Sequence, residues 1–234
     1  NKLDNAAKIF PAAQSKKDTQ VFRFSCELYK TVNKDLLQKA TEDTLEEFDI
    51  FKSILRRGLF WYYLEESDIK PIVREEYKIP CSLIYQRNNH KLLFEVTYYR
   101  NRINLEVFHV LTDGTGAMNF LKTLVSNYLT LSENVEDSGV DYDASSTQKS
   151  DDSFSKYYSG KISSKQENNP VAYKIVGQKY PDDKLKVING MVDVKKVLEE
   201  SHKYNATLTA FLSAVLVKSI IDEMPVRSKG KKPI

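Results

Sequence analysis

Two alternating runs, Leu92–Tyr99 and Ile103–Val110, stand apart by only Arg100-Asn101-Arg102. So short a gap, with Asn in it, predicts an antiparallel hairpin; a parallel pair needs a far longer crossover. A third run, Ser82–Gln86, lies across Arg87-Asn88-Asn89-His90 and predicts a second hairpin in front of the first. In the last run Ile103, Leu105, Val107 and His109 share one parity. His109 therefore continues an apolar face at the end of its strand. Gly114 and Gly116 then offer a turn. Met118, Leu121, Val125 and Tyr128 fall on one helical stripe, widened by Phe120, Leu124 and Leu129. They predict a buried helix, capped by Thr115 and running to about Thr130. His109-Val110-Leu111-Thr112-Asp113-Gly114 thus occupies a strand-to-helix junction, placing an imidazole, a carboxylate and a glycine in one corner.

The remaining elements follow in order. Residues 1–18 alternate small and charged types around Ile9-Phe10-Pro11 and read as an extended lead-in. Val21–Leu28 alternates, with Phe22, Phe24, Cys26 and Leu28 on one face, as in a half-buried strand. Asn33 suits the N-cap of a helix over Lys34–Phe48, whose stripe is Leu37, Ala40, Thr44, Leu45 and Phe48. One or two strands are expected near Leu59–Leu64. From Ser132 to Asn169 polar residues dominate, predicting a long connection with a short helix near Ser153–Tyr158. Beyond Val171 a strand is expected over Leu185–Val192. A helix capped by Asp193 then runs to Lys203, and another, opened by Asn205 or Thr207, covers Leu208–Met224. The last has apolar residues on most sides, which predicts burial, and Pro225 ends it. The organisation expected is a first domain over 1–131, a polar crossover over 132–170, and a segment over 171–234 that completes the first domain and opens a second.

Composition excludes several function classes. A formal charge of +3, with basic residues scattered along the chain, gives no footprint for nucleic acid. Cys26 and Cys81 are too few for a disulfide framework and lack metal-ligand spacing, so no metal and a reducing, cytoplasmic setting are expected. Thr207–Ile221 is short for a membrane span and contains Lys218. His90, in a hairpin turn, and His202, on a charged helix end, read as solvated. Asp151-Asp152 and Asp182-Asp183 read as polar loops, and Lys229, Lys231 and Lys232 as a solvated basic end. Gly114-Thr115-Gly116 lacks phosphate-loop spacing, and no Ser or Cys stands in a nucleophile elbow. The start without Met and the stop soon after a strong helix are read as those of an amino-terminal portion of a longer protein.

His109, Asp113 and Gly114 form His-x-x-x-Asp-Gly, and with it the chain resembles the CoA-dependent acyltransferases. That superfamily is similar in fold to chloramphenicol acetyltransferase and includes the condensation domains of peptide synthetases. Leu55-Arg56-Arg57-Gly58-Leu59-Phe60 is similar to the Arg-bearing strand of the condensation type. Thr207–Ala214 looks like the helix that opens the family's second half. The lead-in Leu3–Pro11 is similar to that of bacterial alcohol acetyltransferases. The resemblance implies an α+β, two-layer sheet-and-helix domain. It implies transfer of an acyl group, acetyl among the candidates, from acyl-CoA as co-substrate to a small alcohol or amine. His109 would be the general base. Asp113 would pair with an Arg to brace the turn, with Arg56, Arg57, Arg100 and Arg102 as partners within the chain and a later Arg beyond it as the partner often found in the family, and Gly114 would let the backbone turn. No tightly bound cofactor is implied, and oligomeric state is left open. Phe108 stands where many condensation domains carry a second His, which favours free acyl-CoA over a carrier protein. The family's Asp-Phe-Gly-x-Gly signature is not present. The alternatives are a condensation-like domain acting on carrier-bound acyl groups and a non-catalytic binding module of the same fold.

Overall fold

The computed structural model describes residues 3, 7–59, 61–86, 90–133, 171–178, 180–181, 186–230 and 232–234. The chain divides into two compact units, Asn1–Ser159 and Gly160–Ile234.

The first unit carries α1 (Ile9–Ala13), β1 (Val21–Glu27), α2 (Lys34–Glu47), a 3₁₀ turn (Asp49–Lys52), β2 (Ser53–Arg57), β3 (Tyr62–Glu66), β4 (Arg74–Glu75), β5 (Phe94–Tyr99), β6 (Arg102–Phe108) and α3 (Gly114–Glu133). Its main sheet has the order β1-β6-β5-β4, and β2 and β3 pair as a separate hairpin. The expected β5–β6 hairpin is present, with Tyr99 opposite Arg102 and Arg100 in the left-handed region at φ 53°.

The expected strand over Ser82–Gln86 is not formed. β5 takes the two-residue β4 as a parallel neighbour instead. The reason lies on the second face of β6. Register puts Arg23 and Glu95 beside Glu106, and Ser25 and Thr97 beside Asn104. Residues Glu76–Tyr85 cover that polar face and satisfy it: Glu106 accepts the Cys81 backbone N–H at 2.8 Å, and Tyr85 stacks flat on Phe108 at 5.6 Å. The segment serves as a cover, so its backbone is not available to the ladder. Residues 87–89 of the expected turn lie outside the described residues.

The other face of the sheet is apolar. Phe22, Phe24, Phe94, Val96, Leu105 and Val107 share it through the same register. Helices α2 and α3 close over it, and Phe51 and Phe120 stack at 4.1 Å with Phe94 edge-on to both. The expected stripe of α2 is the buried one, Leu37, Ala40, Thr44 and Leu45 among its buried residues. Asn33 caps it by accepting from the N–H groups of Asp35 and Leu36. Its own N–H donates to the Tyr128 hydroxyl at 2.8 Å, fastening α2 to α3.

The lead-in is not extended throughout. Ile9–Ala13 forms a helical turn, and Leu3 and Ala7 are part of the core. Gln14 donates from Nε2 to the Tyr85 carbonyl at 3.2 Å, anchoring the segment to the body.

In the second unit α4 (Val194–Lys203) is capped by Asp193 and α5 (Leu208–Glu223) by Thr207, which resolves the choice between Asn205 and Thr207. Met224 turns to extended backbone before Pro225, as a residue ahead of proline must. The expected strand over Leu185–Val192 is not formed among the described residues, 186–192. Nor is α5 buried: none of its residues is, and Leu212 and Leu216 are 49% and 62% exposed. Within its unit Tyr204, just after α4, stacks on Phe211 at 5.9 Å, and Lys229 donates from Nζ to the Asp222 carbonyl at 3.4 Å. The predicted helix at Ser153–Tyr158, and all but the first two residues of the polar crossover, lie outside the described residues.

No single helix among the described residues is long and apolar enough to cross a membrane. The pair α4 and α5, bent by 80°, meets the length and composition requirements only together.

Candidate active site

β6 ends at Phe108, and His109 opens a tight turn closed by the Leu111 N–H donating to the Phe108 carbonyl at 2.9 Å. The His109 N–H donates to the Gln20 carbonyl at 2.9 Å, extending the β1–β6 pairing by one step. Gln20 holds a left-handed backbone, φ 54°, to present that carbonyl. A non-glycine residue pays for this conformation with roughly 1–2 kcal/mol, so the contact is over-determined by its surroundings.

The imidazole lies on the apolar side of the sheet, as strand parity predicts. The Phe22 ring is 4.9 Å away and tilted by 59°. The Phe10 ring of α1 stacks on it at 4.3 Å and 12°. Nδ1 is buried and has no hydrogen-bond partner among the described residues. An imidazole placed for chemistry is ordinarily oriented by a hydrogen bond at one nitrogen, which frees the other. Here packing stands in that place.

Asp113 is exposed and pairs with no Arg among the described residues. Its Oδ1 accepts the Gly116 N–H at 2.9 Å, so it is the N-cap of α3, the position expected for Thr115. The Ala117 N–H returns to the Asp113 carbonyl at 3.1 Å and begins the helical ladder. The four candidate arginines are engaged elsewhere. Arg56 donates from Nε to Glu65 and lies 2.6 Å from the Nδ1 of His90, so His90 is a neighbour of Arg56 as well as exposed. Arg57 sits over Tyr62 at 6.0 Å, and Arg100 over Tyr99 at 5.3 Å. Arg102 pairs with Glu76 at 2.8 Å.

The glycine requirement also moves. Gly114 is the first residue of α3, outside the left-handed region, and a Cβ there would meet only Phe24 at 3.9 Å. At Gly116 a Cβ would lie 2.0 Å from Thr112 Oγ1. The close approach that glycine permits is therefore at Gly116.

A charged network backs β6 on the polar face. Arg23 bridges Glu106 and Glu76, and Arg102 also holds Glu76. Burial alone would lift the Glu76 carboxyl, but the Arg23 and Arg102 guanidiniums hold it below the usual carboxylate value. Burial, with Glu106 nearby, raises the Cys81 thiol, and burial with Glu27 raises that of Cys26. Neither is poised as a nucleophile. No group of three or more His, Cys, Asp or Glu among the described residues could hold a metal ion.

Sequence reasoning reached His109 and its inward direction. It missed Phe10 and Gln20, for which the one signal was the apolar Ile9-Phe10-Pro11 within a polar lead-in.

No protein-family model matches the chain, and no curated protein does. Solved structures match. The starter condensation domain of the rhizomide synthetase RzmA, in a mutant form complexed with C8-CoA, superposes with a TM-score of 0.52 at 12% identity, covering 66% of this chain and 41% of that one. Polyketide synthase associated protein 5 from Mycobacterium tuberculosis gives 0.44 at 18% identity, over 61% of this chain and 35% of that one. VibH, a condensation enzyme of peptide synthesis, gives 0.42 at 17%, over 58% and 37%. The chain spans less than half the length of each of these three structures. At such identities the likeness is one of fold: an α+β sheet-and-helix domain of the condensation and chloramphenicol acetyltransferase type.

Proposed function

We propose that this chain carries the histidine half of an acyltransferase site, moving an acyl group from CoA to a small alcohol or amine. The observation that carries the reading is His109. It stands just past the end of the interior strand β6, on the apolar face, with Nδ1 buried and unpartnered among the described residues, and Nε2 is assigned here to the chemistry. The condensation-type fold and the His-x-x-x-Asp-Gly spacing support it. Small alcohols as acceptors rest on the resemblance of Leu3–Pro11 to bacterial alcohol acetyltransferases.

The chemistry follows from one imidazole. His109 Nε2 takes the proton of the acceptor hydroxyl or amine as its heteroatom attacks the thioester carbonyl. The C–S bond breaks, the ester or amide forms, and the proton passes to the departing CoA thiolate. A base positioned this way contributes roughly 10²–10⁴-fold. Asp113 acts on this site through the backbone: it starts α3 four residues after His109 and so fixes the length of the turn.

A second reading, a non-catalytic binding module, draws on a specific observation. The Phe10 stack and the unpartnered Nδ1 also describe a histidine locked in packing. Donors held on a carrier protein in place of free CoA are the third possibility, made less favourable by Phe108.

The test is thiol release from acetyl-CoA by the full-length protein with a panel of small alcohols and amines. His109→Ala should reduce turnover by about 10²-fold or more. Turnover within a few-fold of wild type would remove His109 from the chemistry.

A further inference from the structure

The orientation of His109 is unusual in having no hydrogen bond at Nδ1. An imidazole turns about two side-chain bonds, and Nε2 points at a fixed place only when both are restrained. In histidine bases that restraint is commonly a carboxylate or carbonyl at the other nitrogen. Asp113 is occupied as a helix cap, and no described residue partners Nδ1. The ring is bounded by two aromatic side chains. Phe22 comes from the adjacent strand, where antiparallel neighbours two residues along the ladder meet on one face. Phe10 comes from α1, outside the sheet, and makes the parallel stack.

The segment that carries Phe10 is fastened on both sides of it. Leu3 and Ala7 enter the core ahead of it, and Gln14 binds the Tyr85 carbonyl behind it. Next, Thr19 donates to the Cys81 carbonyl at 2.7 Å, and Gln20 receives the His109 N–H. The lead-in thus touches His109 twice, at the ring and at the backbone.

We propose that Phe10 is a positioning residue for His109, replacing by stacking the hydrogen bond that Nδ1 lacks. The proposal rests on the reading of His109 as a general base, and goes beyond it by assigning the orientation of that base to the amino-terminal segment. A restrained ring keeps the Nε2 lone pair on the acceptor hydroxyl. A freed ring samples other rotamers and loses turnover without losing affinity for the thioester, since misplacement of a reacting group by about 1 Å can cost roughly 10²-fold in rate.

Two variants of the full-length protein separate stacking from bulk. Phe10→Leu keeps an apolar side chain, and Phe10→Tyr keeps the ring. The readouts are kcat and KM for thiol release from acetyl-CoA with 1-butanol, and the His109 ring-proton signals, identified by their loss in His109→Ala. Phe10→Leu is expected to lower kcat about tenfold or more, to leave KM for acetyl-CoA within about twofold, and to move the His109 signals out of the ring-current shift of Phe10. Phe10→Tyr should restore both. Wild-type kcat in Phe10→Leu overturns the proposal, whether or not the signals move, provided His109→Ala is inactive. If His109→Ala stays active, or the wild type releases no thiol, the base reading fails instead. The ring signals then decide whether Phe10 holds the imidazole: broadened or displaced in Phe10→Leu, it does; unchanged, it does not.

Discussion

At the scale of single residues, the corner between β6 and α3 depends on a glycine that the motif does not include. Gly116 lies where a methyl group would run into the Thr112 hydroxyl, while Gly114 has room for one. Gly116→Ala should therefore cost about 1–3 kcal/mol, the usual range for forced overpacking. Gly114→Ala should be neutral or stabilising by up to about 1 kcal/mol, because it removes unfolded-state freedom at a helical position. Urea midpoints would check both, and Thr112→Ala should recover part of the loss in Gly116→Ala. The direction of His109 was legible because strand parity is a covalent property of the backbone. Phe10 was not legible, because its contact joins residues far apart in sequence and leaves no periodic trace.

At the scale of elements, Asp113 caps α3, and Arg56 and Arg57 are engaged elsewhere. Its position before a helix is a capping signal, but the family resemblance directed attention to an arginine. Asp113→Ala should cost about 0.5–2 kcal/mol, and Asp113→Ser should recover most of it. If capping is the whole contribution, thiol release by Asp113→Ser should stay within a few-fold of wild type; a loss as deep as that of His109→Ala would show a direct role. Ser82–Gln86 illustrates the opposite limit. Its residue types suit a strand, yet the buried Glu106 carboxylate takes the Cys81 N–H and the segment lies over the sheet. Pattern shows what a strand could be made of. It does not show which backbone groups a buried charge will claim.

The same polar face gives a pH prediction. Glu76 is held below its ordinary value of 4.5 by Arg23 and Arg102. A carboxylate depressed on folding contributes stability that is complete above its unfolded value and is lost as pH falls through its folded value. Wild-type stability should therefore fall between pH 4.5 and the lower folded value more steeply than that of Glu76→Gln, measured as urea midpoints across that range. Equal acid limbs would mean that the network contributes no linkage.

At the scale of the molecule, the two units were read from the sequence with unequal success. The hairpin, α2 and α3 of the first unit follow from period and capping, since both faces of its sheet find cover within the unit. In the second unit the helices and their caps, Asp193 and Thr207, are where local signals place them. Their burial is not: α5 has an apolar composition yet no buried residue. Composition reports what a helix would bury and is silent on what covers it. The end of β6 under the Phe10 ring is the corner proposed to present His109 to a thioester. A crystal structure of the full-length protein with bound coenzyme A tests it most directly. The expected result is the pantetheine sulfur roughly 3–4 Å from where an acceptor on His109 Nε2 would react, with Phe10 still stacked on the imidazole. Coenzyme A bound elsewhere, with the imidazole enclosed on every side by protein, would contradict it.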